Sequence, residues 1–270
     1  MNYPKQILFL SGKYLFLFVS ILFVFTSCKD TKVLPVKNSV GGVCLTFDDD
    51  YVKEWSKLSK LLKDHGATAT FFVDHTSLMD TSTLNNLVQL HKDGFEIGLH
   101  SEHHIDFSKY TSKAELDSLI KNEIDEQIRL LSKYGIKAES FSYPYGLNTN
   151  LSDSLLLSKF RKIRDIADEQ RHFYSMWFTN ADEIDDVFYR FDSSGVIKAL
   201  GIDTNFGISL DDIKKMFDRV KEENSVVVFY AHRPVVNASS EFEISYDYIR
   251  SLVEEAGKRG LKFYRFCDLN

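Results

Sequence analysis

Val43-Cys44-Leu45-Thr46-Phe47-Asp48-Asp49-Asp50 is an apolar run that ends in three consecutive carboxylates. The run is short enough for one buried strand. Three adjacent anions cannot sit unpaired in a dry interior, so they face solvent or hold a cation. Acids at the C-terminal end of a buried parallel strand lie where α/β proteins build their sites. Their partners must then come from elsewhere in the chain.

Strand-like and helix-like segments alternate on both sides of this stretch. Glu54–His65 has Trp55, Leu58, Leu61 and Leu62 near helical spacing, and Gly66 stops it. Ala67–Val73 reads as a strand, Leu84–Lys92 as a helix and Phe95–Leu99 as a strand with His100 at its end. A long amphipathic helix follows over Ala114–Tyr134, then a strand over Ala138–Ser142, a helix over Asp153–Phe160 and a strand over Lys162–Ile166. The pattern weakens from Ala167 to Gly207, where Arg171–Phe178 and Val187–Phe191 are candidate strands. Leu210–Glu223 is a helix with Ser209 as its cap. Ser225–Tyr230 is a strongly apolar strand ending at Ala231-His232, followed by a helix over Tyr246–Arg259 and a last strand over Leu261–Phe266. Such alternation predicts an α/β fold with a parallel sheet, closed or nearly closed into a barrel, in one domain.

Parallel strands collect their C-terminal ends on one rim. Asp48 and Asp49, His100-Ser101-Glu102-His103-His104, Pro144-Tyr145-Gly146 and His232 all follow strands. Two histidines and a carboxylate make a hydrolytic divalent-metal set, with His100 and His104 giving imidazole nitrogens and Asp49 an oxygen. Such a metal lowers the pKa of a water and polarises a carbonyl. Asp48 is then the candidate general base and His232 the candidate proton donor to the leaving group. His103 is the alternative to His104 as ligand. Glu102 and Asp106 read as solvated loop acids, Asp50 as a turn residue. His65, His75, His91 and His172 have no acid partner at telling spacing.

Thr46-Phe47-Asp48-Asp49, His100-Ser101-x-x-His104 and Tyr143-Pro144-Tyr145-Gly146 together resemble the polysaccharide deacetylases, carbohydrate esterase family 4, over residues 41–270. The resemblance implies a distorted (β/α) barrel with fewer than eight complete repeats. It implies Asp48 as base, zinc as the usual metal on Asp49, His100 and His104, and a groove wall with Pro144 and Tyr145, whose Tyr145 N–H holds the oxyanion. His232 in Phe229-Tyr230-Ala231-His232 would protonate the departing amine or alcohol. The implied reaction removes acetyl groups, N- or O-linked, from an acetylated polysaccharide or oligosaccharide. The chain also departs from the family. Ser142 stands where an arginine that contacts the base is usual, leaving Arg164, Arg190 or Arg233 as substitutes. The acid and tryptophan that orient the last histidine are not evident, with Asp168 and Trp177 as candidates. A carbohydrate-binding lipoprotein that keeps the metal site without turnover is the alternative function.

Residues 1–28 read as an export signal. Lys5 and Lys13 precede an apolar core from Tyr14 to Phe25, short for a spanning helix, and Thr26-Ser27-Cys28 resemble a bacterial lipobox. Lipidation of Cys28 would anchor the chain to a membrane of the cell envelope, with residues 29–40 as tether and 41–270 as the catalytic domain outside the cytoplasm. A net charge of -6 without a long basic run argues against nucleic acid as a partner. Cys44 and Cys267 lie on strands that a barrel can make neighbours; two free thiols are the plainer reading, a disulfide the alternative.

Overall fold

The structure is a computed structural model that describes residues 40–171 and 180–269. The export signal, Cys28 and most of the tether lie outside the described residues, as do His172 and Trp177. None of the described helices is long and apolar enough to cross a membrane.

The chain runs β1 (Gly42–Asp49), α1 (Val52–Asp64), β2 (Thr70–Val73), α2 (Thr81–Lys92), β3 (Glu96–Leu99), then α3 (Lys113–Ile120), a π-helical turn (Lys121–Asp125) and α4 (Glu126–Ser132). It continues through β4 (Ser140–Ser142), α5 (Asn150–Leu156), β5 (Lys162–Ile166), α6 (Asp168–Arg171), β6 (Phe188–Tyr189) and β7 (Val196–Gly201). It ends with α7 (Leu210–Glu223), β8 (Val226–Ala231), β9 (Arg233–Val235), β10 (Glu243–Ser245), α8 (Tyr246–Lys258) and β11 (Lys262–Tyr264).

Strands β1, β2, β3, β4, β5, β7 and β8 are parallel and close into a barrel through the β1–β8 pairing. Two further strands share edges with barrel strands. β8 takes one side of β1 from Gly42 to Phe47, so β11 and β2 divide the other side, β11 at Gly42–Cys44 and β2 at Thr46–Asp49. β8 is divided the same way, with β7 beside Phe229 and Tyr230 and antiparallel β6 beside Val226 and Val227.

The period of two sorts the core. Val43, Leu45 and Phe47 pack outward against the helices, with Trp55, Leu58 and Leu62 of α1. Trp55 stacks on Phe71 at 5.0 Å. Cys44 joins the inner cluster with Phe72, Ile197, Val228 and Tyr230. The same alternation turns Asp48 into the barrel mouth.

Several expectations hold and several need correction. Ser209 caps α7 with a reciprocal capping box to Asp212, as its sequence suggests. The long helix over Ala114–Tyr134 exists but is interrupted by the π turn. β7 lies in the weakly patterned region: Val-Ile-Lys-Ala-Leu-Gly is short and places Lys198 on its outer face, which blurs the apolar run. The candidate strand at Arg171–Phe178 is not supported at its start, where Arg171 closes the turn of α6, and 172–179 lies outside the described residues. Cys44 and Cys267 are free thiols; β1 and β11 are neighbours, but Cys267 falls in the turn beyond β11, so no bridge forms.

Candidate active site

The strand ends converge on one cavity of about 350 Å³ lined by Asp48, Asp49, His100, His104, Tyr145 and His232, among others. β1 supplies the acids. Asp48 is 2 % exposed, while Asp49 ends the strand at φ 83, a left-handed turn that swings its carboxylate beside the histidines. Asp49 Oδ1 lies 3.8 Å from His100 Nε2 and 3.6 Å from His104 Nε2. Among the described residues this is the group whose ligand atoms all lie within 4.8 Å of one another.

The donor chemistry fits a divalent ion. Donors about 2.1 Å from a tetrahedral zinc stand about 3.4 Å apart, close to the spacings seen. His100 Nδ1 is 2.9 Å from the Ser142 carbonyl, which can only accept, so Nδ1 carries the proton and the Nε2 lone pair faces Asp49. Burial holds His100 well below its ordinary pKa, helped by the neighbouring His104 and Arg164 charges. Burial likewise lowers His104 to about 4, with His232 and His75 adding to it. Both imidazoles are therefore neutral and able to ligate. Burial raises Asp49 to about 6, partly opposed by His232 and reinforced by Asp48 and Asp50. His103 points elsewhere, with Nδ1 2.9 Å from Glu123 Oε1 and its side chain 60 % exposed, so His104 is the histidine the geometry selects.

Asp48 faces two ways. Its Oδ2 accepts from Arg164 Nη2, which also bonds Ser142 Oγ. Its Oδ1 is buried without a hydrogen-bond partner in the protein. Burial raises the Asp48 pKa, while Arg164 and then His232 pull it down. Of the three substitute arginines, Arg164 fills the place left by Ser142. It is 1 % exposed, and its guanidinium lies over Tyr230 at 4.7 Å and Phe72 at 5.6 Å. Arg190 instead pairs with Asp185 and Glu223, and Arg233 with Glu54 and Glu243.

His232 follows β8. Its Nδ1 is 2.6 Å from Asp203 Oδ2, and its backbone N–H donates to Asp203 Oδ1 at 3.0 Å. Burial alone would lower the His232 pKa, but the Asp203 hydrogen bond and the Asp203, Asp48 and Asp49 charges raise it overall. Asp203 corrects the expectation for Asp168, which is exposed and paired with Lys198 and Arg171. The signal was available, because Gly201-Ile202-Asp203 repeats the pattern of an apolar strand ending in an acid. It was hidden by the unrecognised strand β7. Phe242, at φ 59, packs edge-on to the His232 ring at 4.9 Å, and no sequence pattern pointed to it.

Pro144, Tyr145 and Gly146 form a 3₁₀ turn after β4, with Tyr145 at φ 58 and 60 % exposed. The Tyr145 ring meets His104 edge-on at 4.4 Å. Arg171 fastens the turn by bonding the Gly146 carbonyl and the buried Asp165.

Other loop residues depart from their sequence reading. Glu102 is not a solvated acid: it is 5 % exposed and accepts from Thr76 N, Thr76 Oγ1 and Ser77 N. His75 is paired, with Nδ1 2.9 Å from Asp74 Oδ2, and His65 Nε2 is 3.6 Å from Glu254. Asp106 caps a local turn through Ser108 N, whereas Asp50 is exposed in keeping with its reading as a turn residue.

Comparison with known proteins agrees with this architecture. Residues 36–159 match the family model described as polysaccharide deacetylase. The uncharacterized protein YlxY of Bacillus subtilis (strain 168) is 33% identical over 130 residues, 48% of this chain and 34% of that protein, so the match spans about a third of that relative's length. Among solved structures, the fold is similar to a family 4 carbohydrate esterase from Streptomyces lividans (TM-score 0.53, 18% identity, 84% of this chain and 93% of that one). It is also similar to the chitin deacetylase of Colletotrichum lindemuthianum (TM-score 0.54, 16%, 88% and 90%). A further similar fold is a CE4 family pseudoenzyme from Bacillus anthracis (TM-score 0.54, 14%, 85% and 65%). The family model covers just under half of the chain, and the solved structures share its barrel.

Proposed function

We propose that the chain is a metal-dependent hydrolase of the polysaccharide deacetylase family that removes N- or O-linked acetyl groups from carbohydrate. The observation that carries this is Asp48: a buried carboxylate with one oxygen held by Arg164 and the other unpartnered, beside a two-histidine, one-aspartate cluster. Asp49, His100 and His104 would hold the divalent ion, for which zinc fits best. Bound there, the ion would supply Lewis acidity, activating water and polarising the acetyl carbonyl. Asp48 Oδ1 takes the proton of the attacking water, while Arg164 favours its ionised form against the burial that raises its pKa. The Tyr145 N–H meets the developing oxyanion, with Pro144 fixing the turn. His232, its Nδ1 proton held on Asp203, presents Nε2 and gives its proton to the leaving nitrogen or oxygen. Tyr145, Phe206 and Phe242 wall the cavity and suit a sugar face and an acetyl methyl group.

The test is acetate release from N-acetyl and O-acetyl oligosaccharides by the zinc-loaded protein. Asp48→Asn should abolish release and leave zinc bound, whereas His100→Ala or His104→Ala should lose zinc. Full activity in D48N overturns the assignment of the base. A second reading, sugar binding without turnover, loses the support of Ser142 because Arg164 fills that place; oligosaccharide binding with no acetate release under any metal would establish it.

We also propose that residues 1–28 are a lipoprotein signal, that Cys28 carries lipid, and that residues 29–40 tether domain 41–270 to a membrane of the cell envelope. Labelled palmitate should enter the wild type and not Cys28→Ala, and equal labelling would refute the anchor.

A further inference from the structure

We propose that Glu123, in the π-helical turn between α3 and α4, is a positioning residue of the metal centre that holds the chain between the two ligand histidines. The proposal rests on the reading of Asp49, His100 and His104 as ligands. Glu123 touches none of them. Its contacts fall instead on the three residues that join His100 to His104.

Glu123 Oε2 accepts from Ser101 Oγ at 2.9 Å and from the His103 backbone N–H at 2.8 Å. Its Oε1 lies 2.9 Å from His103 Nδ1. Its backbone carbonyl accepts from the Glu102 N–H at 3.2 Å. Ser101, Glu102 and His103 are thus all bonded to this one residue. Ser101 passes the constraint on, since its Oγ accepts from the Ile105 N–H at 3.3 Å.

The loop needs such a partner. Ser101 at φ 66 and His104 at φ 52 both adopt the left-handed conformation, which side chains with a Cβ disfavour and which persists only where the surroundings impose it. Without that pair of turns His104 would not face Asp49. The helix is built to meet this demand. Over Lys121–Asp125 it widens to a π turn, which adds one residue to the turn and brings Glu123 to 7 % exposure beneath the loop. Gln127, further along the same helix, donates to the Val73 carbonyl at 2.8 Å, the carbonyl that also receives the His100 N–H at 2.9 Å. One helix therefore steadies the His100 backbone and the loop that delivers His104. A buried carboxylate is costly unless its hydrogen bonds are made. Each side-chain bond of Glu123 is made to the ligand loop.

The experiment measures zinc affinity of the purified full chain by competition with a chromophoric chelator. Cobalt-loaded protein is recorded in parallel, because its visible bands report the ligand number. Glu123→Gln keeps the shape but removes the carboxylate charge that strengthens the bonds to Ser101 and His103. It should weaken zinc binding about ten- to a hundredfold, the usual size of an outer-shell loss, and alter the cobalt spectrum. Glu123→Asp should recover part of the affinity. Should the Glu123 variants not fold, His103→Ala removes one partner from the exposed side and should weaken zinc several-fold. Wild-type affinity and an unchanged cobalt spectrum in E123Q, or in H103A where that is the folded variant, overturn the proposal and leave the ligand assignment intact. A wild type that binds neither zinc nor cobalt overturns the ligand assignment, and this proposal with it.

Discussion

Moving the arginine of the site back to the neighbouring strand tests the role of Asp48 most directly. Ser142 of β4 stands opposite Arg164 of β5 in the parallel register, and their side chains meet through Arg164 Nη2 and Ser142 Oγ. Adjacent strands are about 4.8 Å apart, so a guanidinium rooted at 142 can reach the same carboxylate. Arg164→Ser alone leaves Asp48, 2 % exposed, with neither oxygen bonded in the protein. Breaking a buried pair in this way costs about 3–5 kcal/mol, read from urea unfolding at pH 7. The pH dependence has a definite sign. Burial already places the Asp48 pKa above its ordinary value, and loss of Arg164 raises it further. A raised carboxyl pKa gives stability that is present below the unfolded value, about 3.9, and lost as pH rises through the folded value. The stability gap between R164S and wild type should therefore widen as pH rises across that window. The base must be ionised to accept a proton, so the acid limb of kcat/KM for acetate release should move to higher pH. At neutral pH the rate should fall about a hundredfold or more, the scale of general-base catalysis. The double variant S142R/R164S should recover most of both losses, with a coupling of about 2 kcal/mol. An R164S enzyme with the wild-type pH profile, or a double variant no better than R164S alone, would refute the reasoning.

Three further outcomes follow from the same structure. Asp203→Asn removes the hydrogen bond and charge that raise His232, so the alkaline limb of kcat/KM, set by loss of the His232 proton, should move to lower pH; an unmoved limb excludes His232 as the acid. Gly146→Ala sets a Cβ 2.5 Å from Ile166 at φ +61 and should displace the Tyr145 turn, lowering kcat at unchanged zinc affinity, with a stability cost of about 1–3 kcal/mol in urea unfolding. Glu96, whose pKa burial raises against its bonds from Ser140, Thr70 and Cys267, withholds stability as pH climbs above the unfolded carboxyl value of about 4.3; Glu96→Gln should flatten that part of the pH–stability curve, and an unchanged slope would count against it.

The parts of the site legible in the sequence were those written in short local runs. Val43–Asp50 carries its own strand length, its alternation and its terminal acids, and the period of two alone turns Asp48 inward. His100, His104, Pro144, Tyr145 and His232 each follow an apolar strand closely, so parallel alternation was enough to place them on one rim. The cluster of Asp49, His100 and His104 is readable for the same reason, and the geometry brings His104 rather than His103 into it by giving His103 to Glu123.

Other parts depend on which strands become neighbours, and no local pattern records that. Arg164 was one of three candidates until register placed it beside Ser142 and Asp48. Asp203 stayed hidden because β7, short and marked by Lys198, carries too little periodicity to announce a strand, yet the β7–β8 pairing brings its end to His232. Glu123 looks in the sequence like one more acid on an amphipathic helix, and only the π turn brings it to the loop between His100 and His104. The sequence by itself determined the alternation of elements and the residues at strand ends, because those follow from spacing along one chain. Barrel closure decided which buried charges meet, because a carboxylate on β1 can be neutralised only by a side chain that the register of distant strands brings within reach.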